Sequence, residues 1–234
     1  MYEQPVDWQG VLVPAFLSDE LVAHGHRVAD AAKAGDWDTL LRLLRSGDEQ
    51  LWIKDRAGGA AQWRPGSPKW FTPLHHAAWH GAPREVIASL LELGALRSLV
   101  DAKGRTAKDV AVERHGAAPL VELLEPPESP LSRERIHLLD RHLKGVIDRR
   151  VQRMRLFEKY TDSSSVLRYP PVGVLHEVRD STVWFPIPGM YGGFLISLRQ
   201  GYLETTSWCR VAGGSGQLHV ITHEGPVLVD EGFV

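Results

Sequence analysis

A stretch of the chain repeats after about 33 residues, and this internal repeat limits the possible folds more than any other sequence feature. One copy begins at Thr72 and reads TPLHHAAWHGAPREVIASLLELGA, and the next begins at Thr106 and reads TAKDVAVERHGAAPLVELL. Ala78 aligns with Ala111 at an offset of 33 residues, and the leucine pairs of the two copies keep the same offset. A period of this length predicts stacked helical units that bury their apolar faces against one another.

An earlier copy lies upstream. VADAAKAGDWDTLLRLLRSGD, which begins at Val28, carries an alanine pair, a glycine and a leucine pair in the same relative positions. Its alanine pair lies 46 residues before that of the next copy, which is 13 more than the period of 33. The surplus falls in GGAAQWRPGSPKW, residues 58–70, whose glycines, prolines and tryptophans predict an enlarged loop.

The recurring residues suit helix ends. Thr72 and Pro73 fit the first turn of a helix, where the N–H that proline lacks would be unpaired anyway. Gly81 fits the end of that helix because glycine adopts the left-handed conformation without strain. We therefore expect short helices that start and stop at fixed places in each copy.

These motifs resemble those of the ankyrin repeat family. Residues 72–105 resemble a full repeat, residues 106–124 a truncated C-terminal repeat, and residues 22–57 a divergent N-terminal one. The resemblance covers a little under half of the chain and implies a short α-solenoid that holds a protein partner. It also implies that His75 makes a backbone hydrogen bond between adjacent turns. By analogy, the protein would be an adaptor, an inhibitor or an immunity-type partner in a bacterial cytoplasm.

The resemblance also implies which residues contact the partner, because ankyrin proteins bind through turn tips and the first helix of each repeat. With the enlarged loop, these residues are Trp63, Arg64, Lys69, Trp70, Phe71, His76, Trp79, His80 and Arg105. Tryptophan and arginine are common interface anchors, and Trp52 adds a further ring nearby. The alternative is that the rings only pack the loop onto the helices. His76 and His80 have a metal-binding spacing, but no third ligand is evident, so we expect no metal and no cofactor.

The remainder of the chain predicts a second, different architecture. EPPESP at residues 125–130 reads as a linker, and apolar residues at helical spacing predict one long helix over 131–160. Short alternating segments then predict an antiparallel β-sheet or a partly closed barrel. The expected strands are Val172–Val178, Thr182–Phe185, Phe194–Leu198, Tyr202–Val211, Gln217–Thr222 and Val227–Val229. The expected fold class is α+β, with an N-terminal part at 1–124 and a C-terminal domain at 131–234. The C-terminal part also resembles an uncharacterised domain found beside ankyrin repeats in bacterial proteins, which implies no activity.

Two groups of residues in the C-terminal part are candidate sites. Cys209 and His219 lie on adjacent predicted strands, where a thiol–imidazole pair could support nucleophilic catalysis, with His223 and Glu224 as further candidates. The alternative is that Cys209 is a small buried residue.

The loop PIPGMYGG at 186–193 is the second group. Its stiffening prolines and apolar tip predict a recognition loop formed by Pro186, Pro188, Met190 and Tyr191.

Charge and composition exclude several classes of protein. There are 27 Lys and Arg residues against 29 Asp and Glu, so the net charge is −2, which argues against a protein that coats nucleic acid. Residues 133–159 hold nine basic and four acidic residues, which fits either a phosphate-binding face or a solvated amphipathic helix. The single Cys209 allows no intrachain disulfide. No signal peptide or membrane span is expected, so the expected location is the cytoplasm.

We therefore expect a binding protein rather than an enzyme, with a protein partner of unknown identity. Nucleic acid and membrane are not expected as partners, and the oligomeric state is not predicted. The alternative function is a small enzyme or a small-ligand-binding module in the C-terminal β domain, with the helical repeats as its targeting arm. The reactivity of Cys209 separates the two hypotheses, because a catalytic thiolate reacts quickly and a buried structural thiol does not.

Overall fold

A computed structural model describes residues 5–46, 60–116, 119–210 and 214–233 and divides the chain into two compact units. Leu17–Glu128 form what we call the helical unit. Met1–Phe16 and Ser129–Val234 form the sheet unit. The sequence prediction had assigned residues 1–124 to one N-terminal part, whereas the described residues up to Phe16 belong with the sheet. Among the described helices, none combines the length and apolar composition needed to cross a bilayer.

The helical unit consists of two layers of short helices. Its helices are α1 (Asp19–Ala34), α2 (Trp37–Ser46), α3 (Pro73–His80), α4 (Arg84–Glu92), α5 (Ala107–His115) and α6 (Leu120–Leu123). Helices α1, α3 and α5 lie side by side in one layer, and α2, α4 and α6 form the other. Their apolar faces meet in one core, in which Leu40, Leu74, Leu90 and Leu124 are completely buried. The alanines of α3 keep it slim enough to pack closely against both neighbours.

The repeated sequence motif encodes the ends of these helices. Thr72 and Thr106 cap α3 and α5, and in each case the third helical residue bonds back to the backbone N–H of the threonine. Gly35 and Gly81 end α1 and α3 with φ angles of 73° and 63°, a conformation that glycine tolerates best. The similar local sequences therefore reflect similar helix starts and stops.

The helix pairs are nevertheless not equivalent units, so the expected array of three repeats is wrong. Helix α1 has 16 residues, whereas α3 has 8 and α5 has 9. The last helix, α6, has only 4 residues. A capping motif sets the conformation at a helix end, but the number of residues between the two caps can differ from one helix to the next, so similar caps do not make successive pairs identical. Trp52 and the first two residues of the predicted loop at 58–70 lie outside the described residues.

The sheet unit contains an open six-stranded mixed sheet. Its strands are β1 (Val6–Asp7), β2 (Thr182–Ile187), β3 (Gly192–Leu198), β4 (Leu203–Cys209), β5 (Ser215–Ile221) and β6 (Pro226–Phe233). They lie in sequence order, with β1 parallel to β2 and every later pair antiparallel. The α+β class and the antiparallel strands agree with the sequence prediction. The sheet is not a closed barrel, and β1 makes it mixed.

Two segments of the sheet unit differ from the sequence prediction. The segment expected as the strand Val172–Val178 is a 3-10 helix over Val172–Glu177. Two prolines precede it, and their missing N–H groups cannot contribute to a strand ladder. The long helix, α7, spans Arg133–Arg153 and is shorter than the predicted 131–160. Beyond it Arg155 and Phe157 have φ angles of 56° and 60°, which a right-handed helix does not allow.

The sheet has one buried face and one more open face. Phe185 and Phe194 point to the buried face and are completely inaccessible to solvent. Trp184 and Trp208 alternate with them and lie on the open face. They approach each other diagonally across β3 because Gly193, which lies opposite Trp208, has no side chain between them. The register of β2, β3 and β4 therefore places two indoles side by side.

Replacing Gly193 by alanine should destabilise this part of the sheet. A Cβ at this position would lie 2.2 Å from the carbonyl oxygen of Phe185, and this backbone atom cannot move without disturbing the β2–β3 pairing. We expect Gly193→Ala to lower the free energy of unfolding by about 3 kcal/mol or more, measured by chemical denaturation. Gly232→Ala is the matched control, because its Cβ would meet no atom within 4 Å. Equal effects of the two substitutions would contradict the steric explanation.

Candidate functional site

The helical unit contains a groove of about 890 Å³, which we call the helical groove. Helices α1, α3 and α5 and the turns that precede α3 and α5 supply its lining. The lining residues are Ala29, Asp30, Lys33, Arg64, Ser67, Pro68, Lys69, Phe71, His76, Trp79, His80, Asp101, Ala102, Lys103, Arg105 and Glu113. A groove of this size falls within the range of known ligand sites.

The two turns at the edge of the groove are tied together. The N–H of Ala102 donates a 3.0 Å hydrogen bond to the carbonyl oxygen of Lys69. The Nε2 of His75, a completely buried side chain, donates a 3.1 Å hydrogen bond to the carbonyl oxygen of Arg105. The side chain of Thr72 lies 2.7 Å from the other ring nitrogen of His75. His75 is therefore structural, and it fixes the spacing of the turns that carry Lys69 and Arg105.

Aromatic rings form one wall of the groove. The Trp79 side chain is 39% exposed, and the guanidinium of Arg114 lies 4.1 Å from its ring centroid. Phe71 packs edge-on against His76 at 4.9 Å. The Nε2 of His80 donates to the carbonyl oxygen of Lys33 at 2.9 Å, which connects α3 to α1. Trp79 is thus the large apolar side chain on this wall that remains open to a partner.

Burial keeps His76 uncharged at neutral pH. The loss of hydration on burial is the largest cause that lowers the pKa of His76, and repulsion from the neighbouring His80, His75 and Lys33 acts in the same direction, so that together they bring the pKa to about 4. His76 therefore acts as part of the aromatic wall at pH 7 and not as a cation. Although His76 and His80 have a metal-binding spacing, no cluster of three possible metal ligands occurs within the described ranges.

The carboxylates of the groove are already neutralised by arginines. Asp30 pairs with Arg64, and Asp101 and Glu113 both pair with Arg105, at 2.8 Å and 2.5 Å. Burial alone would raise the pKa of Asp101, but hydrogen bonds from the backbone N–H and side chain of Arg105 outweigh it and lower that pKa. Asp101 is therefore held in its ionised form, and all three carboxylates already have an arginine partner.

Three lysines of the groove have no such partner. No described carboxylate forms an ion pair with Lys33, Lys69 or Lys103. The lining has five Lys and Arg residues and three Asp and Glu residues, so its formal charge is 5 − 3 = +2. The whole chain has a net charge of −2. The groove is therefore a locally positive surface on a slightly acidic protein.

The groove collects most, but not all, of the partner-binding residues expected from sequence. Arg64, Lys69, Phe71, His76, Trp79, His80 and Arg105 line it. Trp63 does not, because it is only 7% exposed, and half-buried Trp70 is also not part of the lining. Sequence reasoning missed Lys33, Lys103 and the paired carboxylates. Lys103 could have been found, because it lies 34 residues after Lys69, the same offset that separates Thr72 from Thr106.

The proposed catalytic pair of the sheet unit is not brought together. Cys209 lies opposite Ser215, and His219 lies opposite Thr205. The two side chains are therefore four residues apart along the strands, which corresponds to roughly 13 Å. His223 instead bonds to Arg135, with its Nδ1 3.3 Å from the guanidinium. Glu224 is exposed in the turn after β5. These four side chains do not form one constellation.

The long helix does not offer a free row of arginines. Arg150 is buried and donates to the carbonyl and hydroxyl oxygens of Ser215, both at 2.7 Å. Arg153 pairs with Glu231 at 3.2 Å, and Arg155 pairs with Glu158 at 2.5 Å. These guanidinium groups hold the helix to the sheet and to its own C-terminal turn, so a phosphate-binding face gains no support.

The loop at 186–193 is arranged differently from the prediction. Met190 is completely buried, whereas Tyr191 is 74% exposed. Pro186 and Pro188 are partly exposed and stiffen the loop. The indoles of Trp184 and Trp208 stack nearby at a centroid distance of 4.3 Å and an interplanar angle of 19°. Tyr191 and the two indoles line a second, smaller cleft.

Comparison with known proteins provides no relative. No family model matches the chain, and no curated protein matches it significantly. The assignment of residues 22–124 to the ankyrin family is therefore wrong, as is the resemblance of the C-terminal part to a domain that accompanies ankyrin repeats. The motifs that suggested the family are local signals for helix ends. They occur here in helix pairs of unequal length.

The low pKa of His76 can be measured directly. We expect NMR titration of the His76 ring to give a midpoint of about 4. As pH falls below about 6.5, the unfolded chain binds a proton that the folded chain does not, so stability falls until the folded ring protonates. This coupling reduces the free energy of unfolding by up to about 3 kcal/mol, and His76→Gln should remove that part of the pH dependence. A midpoint near 6.5 would contradict the burial of the ring.

Cys209 should react slowly in the folded protein. Its side chain is only 2% exposed, so a thiol reagent should modify it at neutral pH mainly after unfolding. The control is Val227→Cys in a Cys209→Ser background, because Val227 is 60% exposed. The measurement is the rate of colour release from a disulfide reagent with and without denaturant. Modification of folded Cys209 as fast as that of the control would contradict the burial of the thiol and would favour the catalytic hypothesis.

Proposed function

We propose that the protein binds an acidic segment of a protein partner in the helical groove. The observation that supports this most is the combination of an accessible tryptophan with three lysines that form no ion pair with any carboxylate in the described part of the chain. A partner carboxylate can pair with Lys33, Lys69 or Lys103 without displacing an existing ion pair. Each such ion pair adds an attraction between the two proteins, and no ion pair inside this protein has to be broken to form it.

Trp79 supplies the apolar part of this binding surface. Large aromatic side chains that become buried on binding account for much of the affinity of typical interfaces. Trp79 is held from one side by the guanidinium of Arg114, so the ring loses little conformational freedom when a partner covers it. An acidic segment with an apolar residue among its carboxylates would therefore match both features of the groove.

The ionic arrangement favours a protein segment over nucleic acid. Asp30, Asp101 and Glu113 lie in the same groove as the lysines, and a continuous phosphate backbone would pass close to all three. Their charges would oppose its binding. A peptide can place its few carboxylates only where a lysine is available.

Selection from a phage-displayed library of random peptides tests this proposal with the full-length chain. We expect the enriched peptides to contain several Asp or Glu residues around an apolar residue. Synthetic copies should bind about 30-fold more weakly to Trp79→Ala, if the ring is a hot spot worth about 2 kcal/mol. Their affinity should also fall with increasing salt. Circular dichroism and thermal unfolding establish that the variant is folded.

Charge reversal gives the matched comparison. The double variant Lys33→Glu/Lys103→Glu should bind the same peptides about tenfold or more weakly than the wild type. Arg84→Glu is the control, because Arg84 is exposed on the same unit but lies outside the groove. Enrichment of neutral or basic peptides, or equal binding to the groove variants and the wild type, would overturn the proposed function.

A further inference from the structure

A group of polar side chains lies inside the sheet unit, between α7 and the buried face of the sheet. The neighbouring strands β2 and β3 turn apolar residues to this face, of which Phe185, Phe194 and Ile196 are completely buried. On β4 and β5, by contrast, Thr205 lies opposite His219, Ser207 opposite Gln217, and Cys209 opposite Ser215. Arg150 reaches these residues from α7. We call the seven residues on β4, β5 and α7 the buried polar cluster.

The positive charge of Arg150 is buried without a carboxylate beside it. Arg150 is 5% exposed, and its Nη2 donates to the carbonyl and hydroxyl oxygens of Ser215, which are neutral groups. No carboxylate in the described ranges forms an ion pair with Arg150. The charge of Glu231 acts on Arg150 only from beyond ion-pair distance. Glu231 is also occupied, because it accepts hydrogen bonds from Arg153 and Gln217. A buried arginine is costly unless a negative charge lies close to it.

Three polar atoms of the cluster have no hydrogen-bond partner among the described residues. They are the Nε of Arg150 and the hydroxyl oxygens of Thr205 and Ser207. Thr205 and Ser207 are 0% and 1% exposed, so bulk water does not reach them. Buried polar groups in native proteins are nearly always hydrogen-bonded. Three exceptions in one cluster therefore indicate a bound species that accepts their hydrogen bonds.

The sheet register brings these groups towards one point. Ser207 is a diagonal neighbour of Ser215, to which Arg150 is bonded, and such neighbours have Cα atoms about 7–8 Å apart. On the other side of Ser207, Thr205 is the next residue on the same face of β4, at a spacing of about 7 Å. Ser207 thus lies between the other two groups. A small species beside Ser207 is within reach of both hydroxyl groups and of the guanidinium.

The charges around the cluster favour an anion. Arg149, Arg150 and Arg153 lie near the C-terminal end of α7, against the single carboxylate of Glu231. Burial, and then repulsion from Arg149, lower the pKa of His219, so this ring is neutral at pH 7. Burial also lowers the pKa of Arg150, which is the effect that a bound negative charge would oppose. A water molecule could take up the hydrogen bonds but would leave the charge of Arg150 uncompensated.

The number of donors favours a monatomic anion. All three unpartnered groups can donate a hydrogen bond, and one guanidinium requires one negative charge. A phosphate or a carboxylate has several oxygen atoms, each with more lone pairs than these three donors can match. We propose that the buried polar cluster binds one chloride ion, held by the Nε–H of Arg150 and the hydroxyl groups of Ser207 and Thr205. The ion compensates the arginine and thereby holds α7 to the sheet, independently of the helical groove.

Thermal unfolding of the full-length protein in sodium chloride and in sodium gluconate, at the same ionic strength, tests this proposal. Gluconate is too large for an enclosed site. We expect the unfolding temperature to rise with the logarithm of the chloride concentration, by about 3 °C when chloride is about tenfold above its dissociation constant. Bromide should act in the same way and should be found beside Ser207 by anomalous scattering from crystals. Equal unfolding temperatures in the two salts, or only water beside Ser207 in the bromide crystals, would overturn the proposal.

The double variant Ser207→Ala/Thr205→Val removes both hydroxyl groups with little change of shape. In gluconate it should unfold at or above the temperature of the wild type, because two unpaired buried groups have been removed. In chloride it should lose most of the rise that the wild type shows. Thr206→Val is the matched control, because Thr206 lies between these residues but on the open face of β4, and it should keep the full rise. The proposal is wrong if the double variant keeps the rise, if Thr206→Val loses it, or if the double variant is unfolded in gluconate.

Discussion

The helical groove depends on the hydrogen bond between the buried ring of His75 and the carbonyl oxygen of Arg105. This bond, with the one from Ala102 to Lys69, fixes the separation of the turns before α3 and α5. Those turns carry Lys69, Lys103 and Arg105. The separation of the backbone positions that carry these positive charges is therefore set by hydrogen bonds to the turn carbonyl groups. A partner meets an arrangement that already exists, which reduces the conformational entropy lost on binding.

The ionic network determines the sign of the charge that the groove presents to solvent. Arg64 and Arg105 are matched by Asp30, Asp101 and Glu113, and these pairs hold turn and helix together. The exposed pair of Asp30 with Arg64 adds little stability, whereas Asp101, which pairs with Arg105, is buried. Together these pairs leave the three lysines as the charges available to the proposed partner. Removing the carboxylates would increase the positive charge but would also release the arginines that order the turns.

Sequence reasoning predicted the parts of the fold that depend on local signals. Thr72, Thr106, Gly35 and Gly81 mark helix ends in the sequence, and they are helix caps in the structure. The segment Thr182–Phe185 was likewise predicted as a strand, and it forms the first four residues of β2. Such features depend on only a few consecutive residues, so one sequence is enough to find them.

Features that depend on distant pairing could not be predicted in this way. Strand β1 has two residues and pairs with β2, about 180 positions away in the chain, and nothing in its own sequence indicates this partner. The same limit explains the error over Cys209 and His219, because the register of β4 and β5 separates residues that share a face. In the groove, Phe71, Trp79 and Arg105 were expected from their positions in the repeated motif, at the turns and on the first helix of each pair. Lys33 was missed because the first copy lacks the Thr-Pro-Leu-His start from which the contact positions of the next copy were taken.

The contrast between Trp63 and Trp79 shows why composition alone does not locate a binding site. Both are tryptophans of one region, yet Trp63 packs inside and Trp79 is open to solvent. The difference follows from position. Trp79 lies near the C-terminal end of α3 and lines the groove, and the guanidinium of Arg114 packs over its ring while 39% of the residue stays exposed. A buried ring contributes to the core whether or not a partner exists, whereas a half-covered ring gains further burial only from a partner. The open tryptophan, and not the number of tryptophans, is therefore what supports the proposed binding function.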